Sequence, residues 1–230
     1  MLSSSGLTTT EVLDAFSEEV LALGGRVTES IDDGRRLFTR SVLPHIKEVR
    51  RGDGVQGGVA LKAAEGEVWL YPYVFRLVCR NGAIVAETVG SWSTADLHCQ
   101  EPEAILQSIR EGVGICCGEE VFAENVRKMR TACEIQVDLA LTMIPLLTRF
   151  SGPGNVELLR QIMDQFFRER DQSQFGLANA VTAIARDTRD PELRWNLEEF
   201  GGAVAIGKAP TPPVNRGTAA ARVNELLTVG

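Results

Sequence analysis

The apolar pattern of this chain changes period once. From about residue 26 to residue 89, short β-rich runs alternate apolar and polar side chains between turn signals at Asp32-Asp33-Gly34, Ala64-Glu65-Gly66 and Asn81-Gly82. From Pro102 onward, apolar residues return every three or four positions instead. The first period puts successive side chains on opposite sides of a strand, and the second stacks them along one side of a helix. Connections this short leave no room for crossover helices, so the sheet should be largely antiparallel. Strands first and helices second define an α+β domain, with an N-terminal sheet packed against a C-terminal helical half.

The run from Tyr71 to Gly90, YPYVFRLVCRNGAIVAETVG, anchors the strand half. Tyr71, Tyr73, Phe75, Leu77 and Cys79 share one parity, an apolar face on which the Cys79 thiol is inert. Arg76 and Arg80 share the other with Val74 and Val78. Asn81-Gly82 suits a two-residue type I′ turn, since both residues tolerate positive φ, and residues 83–89 return as the partner strand. The two arginines are then either solvated or paired with Glu87, or they form a phosphate-contacting pair.

The remaining elements follow in order. Thr8-Thr9-Thr10-Glu11 caps a first helix carrying Val12, Leu13, Phe16, Val20 and Leu23, and Gly24-Gly25 stops it. Residues 26–30, 37–43, 55–62 and 67–71 read as further strands, about six with the hairpin. Pro102 opens a helix that Gly112 to Gly118 interrupts, and a long stripe from Phe122 through Val137 to Ile144 runs until Pro145. Asn155 caps a helix whose Val156, Leu159, Ile162, Met163, Phe166 and Phe167 form a wide buried face. Residues 175–186 make another, and Asp190-Pro191 opens a last one, with Trp195 plugging it onto the sheet, that Gly201-Gly202 closes. One domain therefore spans 1–202, strand-rich over 25–90 and helical over 101–202, with a Pro- and Ala-rich linker and short tail over 203–230.

Composition bounds the function. With 44% apolar and 24% charged residues in 230, the chain is an ordinary globular one. No apolar run is long enough to cross a bilayer and the start lacks signal-peptide regions, so a cytoplasmic protein without membrane contact is expected. Five cysteines, an odd number, then read as reduced thiols. A net charge of −7 argues against coating by nucleic acid through bulk charge. Locally the balance reverses: Arg26, Arg35, Arg36, Arg40, Lys47, Arg50 and Arg51 face only Glu29, Asp32, Asp33 and Glu48 between residues 26 and 51. Such a stripe can contact a phosphate backbone, because bulk charge is screened beyond about one Debye length; more simply, it reads as a solvated strand surface.

Catalytic signals are sparse. His98, Cys99, Cys116 and Cys117 are residue types that bind zinc, but adjacent ligands in both halves are awkward for a tetrahedral site. With two histidines in the chain, only His98 beside Cys99 suggests a thiol dyad. RGDGVQGG lacks the Lys-Ser/Thr of a phosphate loop and precedes a strand. No cofactor and no catalysis are expected.

Two stretches resemble a known family. RRGDGVQGGVALKAAEGEVWLYPYVFRLVCRNGAIV, with its Gly-Asp, its polar strand and its Arg-Leu-Val-Cys-x-Asn-Gly run, is similar to the hallmark region of a family of phage- and plasmid-associated proteins. LANAVTAIARDTRDPELRWNLEEFGG resembles that family's C-terminal part. The resemblance implies a mobile-element or recombination setting and a single-strand annealing role, and it supplies no catalytic residues. The expected function is a non-enzymatic, homo-oligomeric binder of single-stranded DNA, contacting it through Arg35, Arg36, Arg40, Lys47, Arg50, Arg51, Arg76 and Arg80. Trp69, Tyr71, Tyr73 and Trp92 are available for base stacking. An assembly protein acting only through protein contacts, or a zinc- or thiol-dependent enzyme, are the alternatives.

Overall fold

Thr8 and Glu11 start the first helix by exchanging hydrogen bonds. Thr8 Oγ1 accepts from the Glu11 amide at 3.2 Å, and Glu11 Oε2 accepts from the Thr8 amide at 2.8 Å. This reciprocal cap satisfies two amides that a helix start leaves open. The computed structural model describes residues 7–64, 66–86, 92–93, 101–138, 145–146, 148–150 and 155–208. Its helices are α1 (Thr9–Ala22), α2 (Pro102–Cys116), α3 (Glu119–Glu134), α4 (Asn155–Glu169), α5 (Gln174–Asp187) and α6 (Pro191–Ala205). Its strands are β1 (Arg26–Asp32), β2 (Arg36–Val42), β3 (Ile46–Arg50), β4 (Asp53–Ala64), β5 (Glu67–Arg76), β6 (Asn81–Ile84) and β7 (Trp92–Ser93). The fold is α+β, and the named strands form one antiparallel sheet.

The sheet runs β1-β2-β4-β5-β6, with β3 added to β4 and β7 to β5. β4 and β5 pair along almost their whole length, from Val55 opposite Arg76 to Ala64 opposite Glu67. The runs 67–71 and 71–80 are therefore one strand up to Arg76, and β3 is a strand that alternation did not reveal. Pro72 sits inside β5 without harm: its carbonyl accepts from the Val85 amide at 2.8 Å, so its missing donor points to the edge just beyond β6 and spares the β4 ladder.

The hairpin after β5 does not turn at Asn81-Gly82. Arg76 pairs with Asn81 and Phe75 with Gly82, so residues 77–80 form the loop and Arg80 adopts φ of 53°. Asn81 is held inside: its Nδ2 donates to Thr182 Oγ1 at 2.6 Å and to the Asn179 carbonyl at 3.3 Å. Gly82 serves close approach, since a Cβ there would lie 1.8 Å from the Tyr73 hydroxyl. Arg76 and Arg80 consequently do not share a strand face. Leu77 and Val78 are exposed, and Cys79 lies half-buried in the loop rather than on the core face. Glu87 lies outside the described residues.

Helices cover both faces of a curled sheet. On one face, Leu37, Val59, Leu61, Val68 and Leu70 pack under Val12, Phe16 and Val20 of α1 and Ile105, Ile109 and Val113 of α2. Where the sheet curls, Val55 and Val74 meet α3 and α5 instead. On the other face Trp195 of α6 lies 5.9 Å from the Phe38 ring and 6.1 Å from the Tyr71 ring, the plug its position suggests.

Several helix limits differ from the periodic reading. α2 runs through Gly112 and Gly114 to Cys116. α3 ends at Glu134, because Ile135 turns extended and the next residues pair with residues 172–174: the Val137 amide donates to the Gln172 carbonyl at 2.9 Å, and the Gln174 amide to the Ile135 carbonyl at 2.8 Å. Residues 139–144 lie outside the described ones. On α4, Leu159, Ile162 and Phe166 are buried, but Val156 and Phe167 are exposed, so its buried face is narrower than expected. α6 continues past Gly201-Gly202 to Ala205, and Ala203 to Ile206 are core residues. A Cβ on Gly202 would lie 2.0 Å from the Ile84 carbonyl oxygen, so the pair lets α6 touch β6 rather than ending the helix. The tail over 209–230 lies outside the described residues.

Candidate nucleic-acid interface

The basic residues between Arg35 and Arg80 do not form one surface. Arg36 stands opposite Ala64 and Arg50 opposite Asp53, at the two ends of β4, separated by about 35 Å of extended strand. Most are also engaged internally. Arg36 pairs with Asp33 at 2.7 Å and with Glu192 at 3.5 Å, and Lys47 with Glu119 at 3.8 Å. Arg50 reaches Asp171 at 2.7 Å and Ser173 Oγ at 3.0 Å. Arg76 grips Asp53 with two bonds of 2.6 and 2.8 Å. Burial works against the Arg76 charge, but the Asp53 carboxylate outweighs it and holds the guanidinium above its ordinary value. Arg35 and Arg51 are exposed in turns at opposite ends of the sheet. Of the expected set, Arg40 and Arg80 come together, in one cleft.

That cleft holds about 220 Å³ between β1, β2, the β5–β6 loop and the helices α5 and α6. Two other cavities, one beside Cys116 and Asn125 and one beside Met129 and Phe175, hold about 10 and 20 Å³, room for about one water each. The cleft is an order of magnitude larger. Its floor is a closed ring of charges. Arg40 Nε donates to Glu198 Oε2 at 2.7 Å and Arg40 Nη1 to Glu29 Oε2 at 3.3 Å; Arg194 Nη1 donates to Glu29 Oε1 at 2.7 Å and Arg194 Nε to Glu198 Oε1 at 3.1 Å. Burial pushes the Glu198 carboxyl up, against the pull of Arg40 and Arg194. Tyr73, buried beside the ring, has its phenol pushed up for the same reason, so it stays protonated.

Above the floor stand Arg80 and Arg186. Arg186 caps the loop by donating to the Cys79 carbonyl at 2.7 Å, and it also binds Asp187 at 2.9 Å. No ion pair involves Arg80 among the described residues. Four arginines against Glu29 and Glu198 leave the lining with an excess of two positive charges, of which Asp187 at the rim offsets one. The Phe75 ring, half-buried, forms part of the wall.

Sequence reading missed Glu29, Asn81, Arg194 and Glu198 as site residues. The Arg194/Glu198 spacing of four on a helix was a visible signal; Glu29 had none. Arg186 belongs to the charged run 186–190 near a helix end, whose residues otherwise cap and pair locally, as when Asp190 Oδ1 accepts from the Leu193 amide at 2.7 Å.

The thiol candidates fare differently. Cys116 and Cys117 close α2, and burial pushes both thiols up, Cys117 to about 12. They are poor nucleophiles and poor metal ligands at neutral pH. Among the described residues no group of three His, Cys, Asp or Glu side chains is placed to hold a metal; His98 and Cys99 lie outside them. No described helix is long and apolar enough to cross a membrane.

No protein-family model, curated protein or solved structure matches the chain. The functional reading therefore rests on an α+β fold with an arginine-lined cleft.

Proposed function

We propose that this is a non-enzymatic nucleic-acid-binding protein of mobile-element type, cytoplasmic and free of cofactors, which holds single-stranded DNA across the mouth of the cleft. Arg80 and Arg186 contact backbone phosphates there, where charge on the strand meets a cationic rim. The observation that carries the reading is a convergence. The two stretches that resemble the phage and plasmid family are distant in sequence, yet both line this cleft: the first supplies Phe75, Arg80 and Asn81, the second Arg186, Arg194 and Glu198. A labelled single-stranded oligonucleotide, titrated by fluorescence anisotropy at low and near-physiological salt beside a duplex of equal length, tests it. Preference for the single strand with a steep loss in salt is expected; equal or absent binding would reject the reading.

Self-association is a second part of the proposal. Val156 is 79% and Phe167 53% exposed on α4. Their spacing is close to three turns, so both lie on one side of the helix. A second copy of the chain covering this strip explains apolar side chains there, and the double variant Val156→Ser with Phe167→Ser should lower the mass in light scattering. An unchanged mass removes α4 from the interface.

A further inference from the structure

The cleft is blind. Arg40 and Glu198 close its floor with side chains 1% and 2% exposed, so what enters at the mouth has no exit below. A continuous strand can cross the mouth, but only the end of a strand can go in. Donors remain there after the internal pairs are formed. Arg194 commits Nη1 to Glu29 and Nε to Glu198, which leaves its Nη2 without a partner among the described residues, on a side chain 17% exposed. Arg80, nearer the mouth, makes no ion pair among the described residues. Both side chains line the same cleft.

We infer that the interior of the cleft is a strand-end subsite: it takes a terminal phosphate, a phosphomonoester at the 5′ or 3′ end of the strand, between Arg80 and Arg194. This rests on the reading of the rim as a single-strand site and adds where a strand is held by its end. Charge favours an end over a link. A phosphodiester carries one negative charge, whereas a phosphomonoester carries nearly two at neutral pH and offers three strong acceptor oxygens. An arginine fork suits such a group better than a single ammonium does. Repulsion from the floor is offset within the ring, since Glu29 and Glu198 are each bonded to both Arg40 and Arg194. Space is sufficient: at about 30 Å³ per molecule, 220 Å³ corresponds to about seven waters, which a phosphate and its sugar would displace.

The test compares, on the full chain, single strands of one sequence that differ only at their ends: a 5′ phosphate, a 3′ phosphate, hydroxyls at both ends, and a circle with no end. Each competes against a labelled hydroxyl-ended strand. One of the two phosphorylated strands should bind about tenfold or more tightly than the hydroxyl-ended strand, the worth of one hydrogen bond to a charged group, and the strand that gains identifies the end. The circle should match the hydroxyl-ended strand. Arg80→Gln, an exposed change, should erase the gain; a folded variant that weakens every strand alike and keeps the gain would overturn the placement in the cleft. Equal affinity for all of the strands would overturn the strand-end subsite while the phosphate rim stands. Binding of none would remove the rim, and the subsite with it.

Discussion

Arg40 Nε and Glu198 Oε2 meet at 2.7 Å although 158 residues separate them, and this bond ties β2 to the last helix under the cleft. Both side chains are almost wholly buried, 1% and 2% exposed. Each needs the other, since an unpaired charge in such a place is strongly destabilising.

Arg40→Met should therefore lower stability by about 3 kcal/mol, because it takes from Glu198 and Glu29 one of the two arginines each contacts and leaves Arg194 to hold both carboxylates. Adding Glu198→Met should recover part of that loss by removing a buried carboxylate that has lost half of its compensation. Urea denaturation at neutral pH measures both; a single variant with the wild-type midpoint would contradict the buried ring.

Gly202→Ala sets helix propensity against packing. In an open helix the change gains up to about 1 kcal/mol. Here the new Cβ would lie 2.0 Å from the Ile84 carbonyl oxygen, so a net loss of about 1–3 kcal/mol is expected. A stabilised variant would show that α6 and β6 are further apart.

These two cases show what the sequence could and could not reveal. Thr8 with Glu11 is a local device, and its helix was legible. Asn81-Gly82 was legible as a special pair but not for its reason: the glycine clears room for Tyr73 and the asparagine is captured by Thr182, contacts made by tertiary packing. The stripe past Glu134 kept helical spacing, yet pairing with residues 172–174 won over periodicity. The basic stripe dissolved because Arg40 and Arg50 found acids from distant segments, Glu198 and Asp171, as Arg76 beyond the stripe found Asp53, while Arg36 pairs with nearby Asp33. Partners from distant segments leave no mark in local patterning.

Thiol reactivity should follow burial. At neutral pH, Cys116 and Cys117 should resist iodoacetamide in the folded protein and label only on unfolding, because both thiols titrate well above that pH. Mass spectrometry of labelled peptides reads this, and rapid labelling of Cys117 would contradict it.

Acid should weaken the contact between β3 and the start of α5. Partial burial pushes the Asp171 carboxyl up, but bonds from Ser173 and Arg50 outweigh it and the group titrates below 3.8. The unfolded chain then binds the proton more readily, so Asp171 contributes stability above pH 3.8 and loses it as pH falls through the lower folded value. Asp171→Asn should be less stable near neutrality and show a shallower acid limb in its urea midpoints. An acid limb as steep as that of the wild type would rule out this contribution.

The most direct measurement of the central claim is the salt dependence of single-stranded DNA binding for Arg80→Ala with Arg186→Ala beside the wild type. Both side chains reach the surface and neither belongs to the buried ring, so the fold should survive, as circular dichroism would verify. The account predicts weaker binding and a log–log salt slope reduced by about 0.7 for each lost phosphate contact. An unchanged affinity and slope in a folded double variant would contradict it and place any DNA contact away from the cleft.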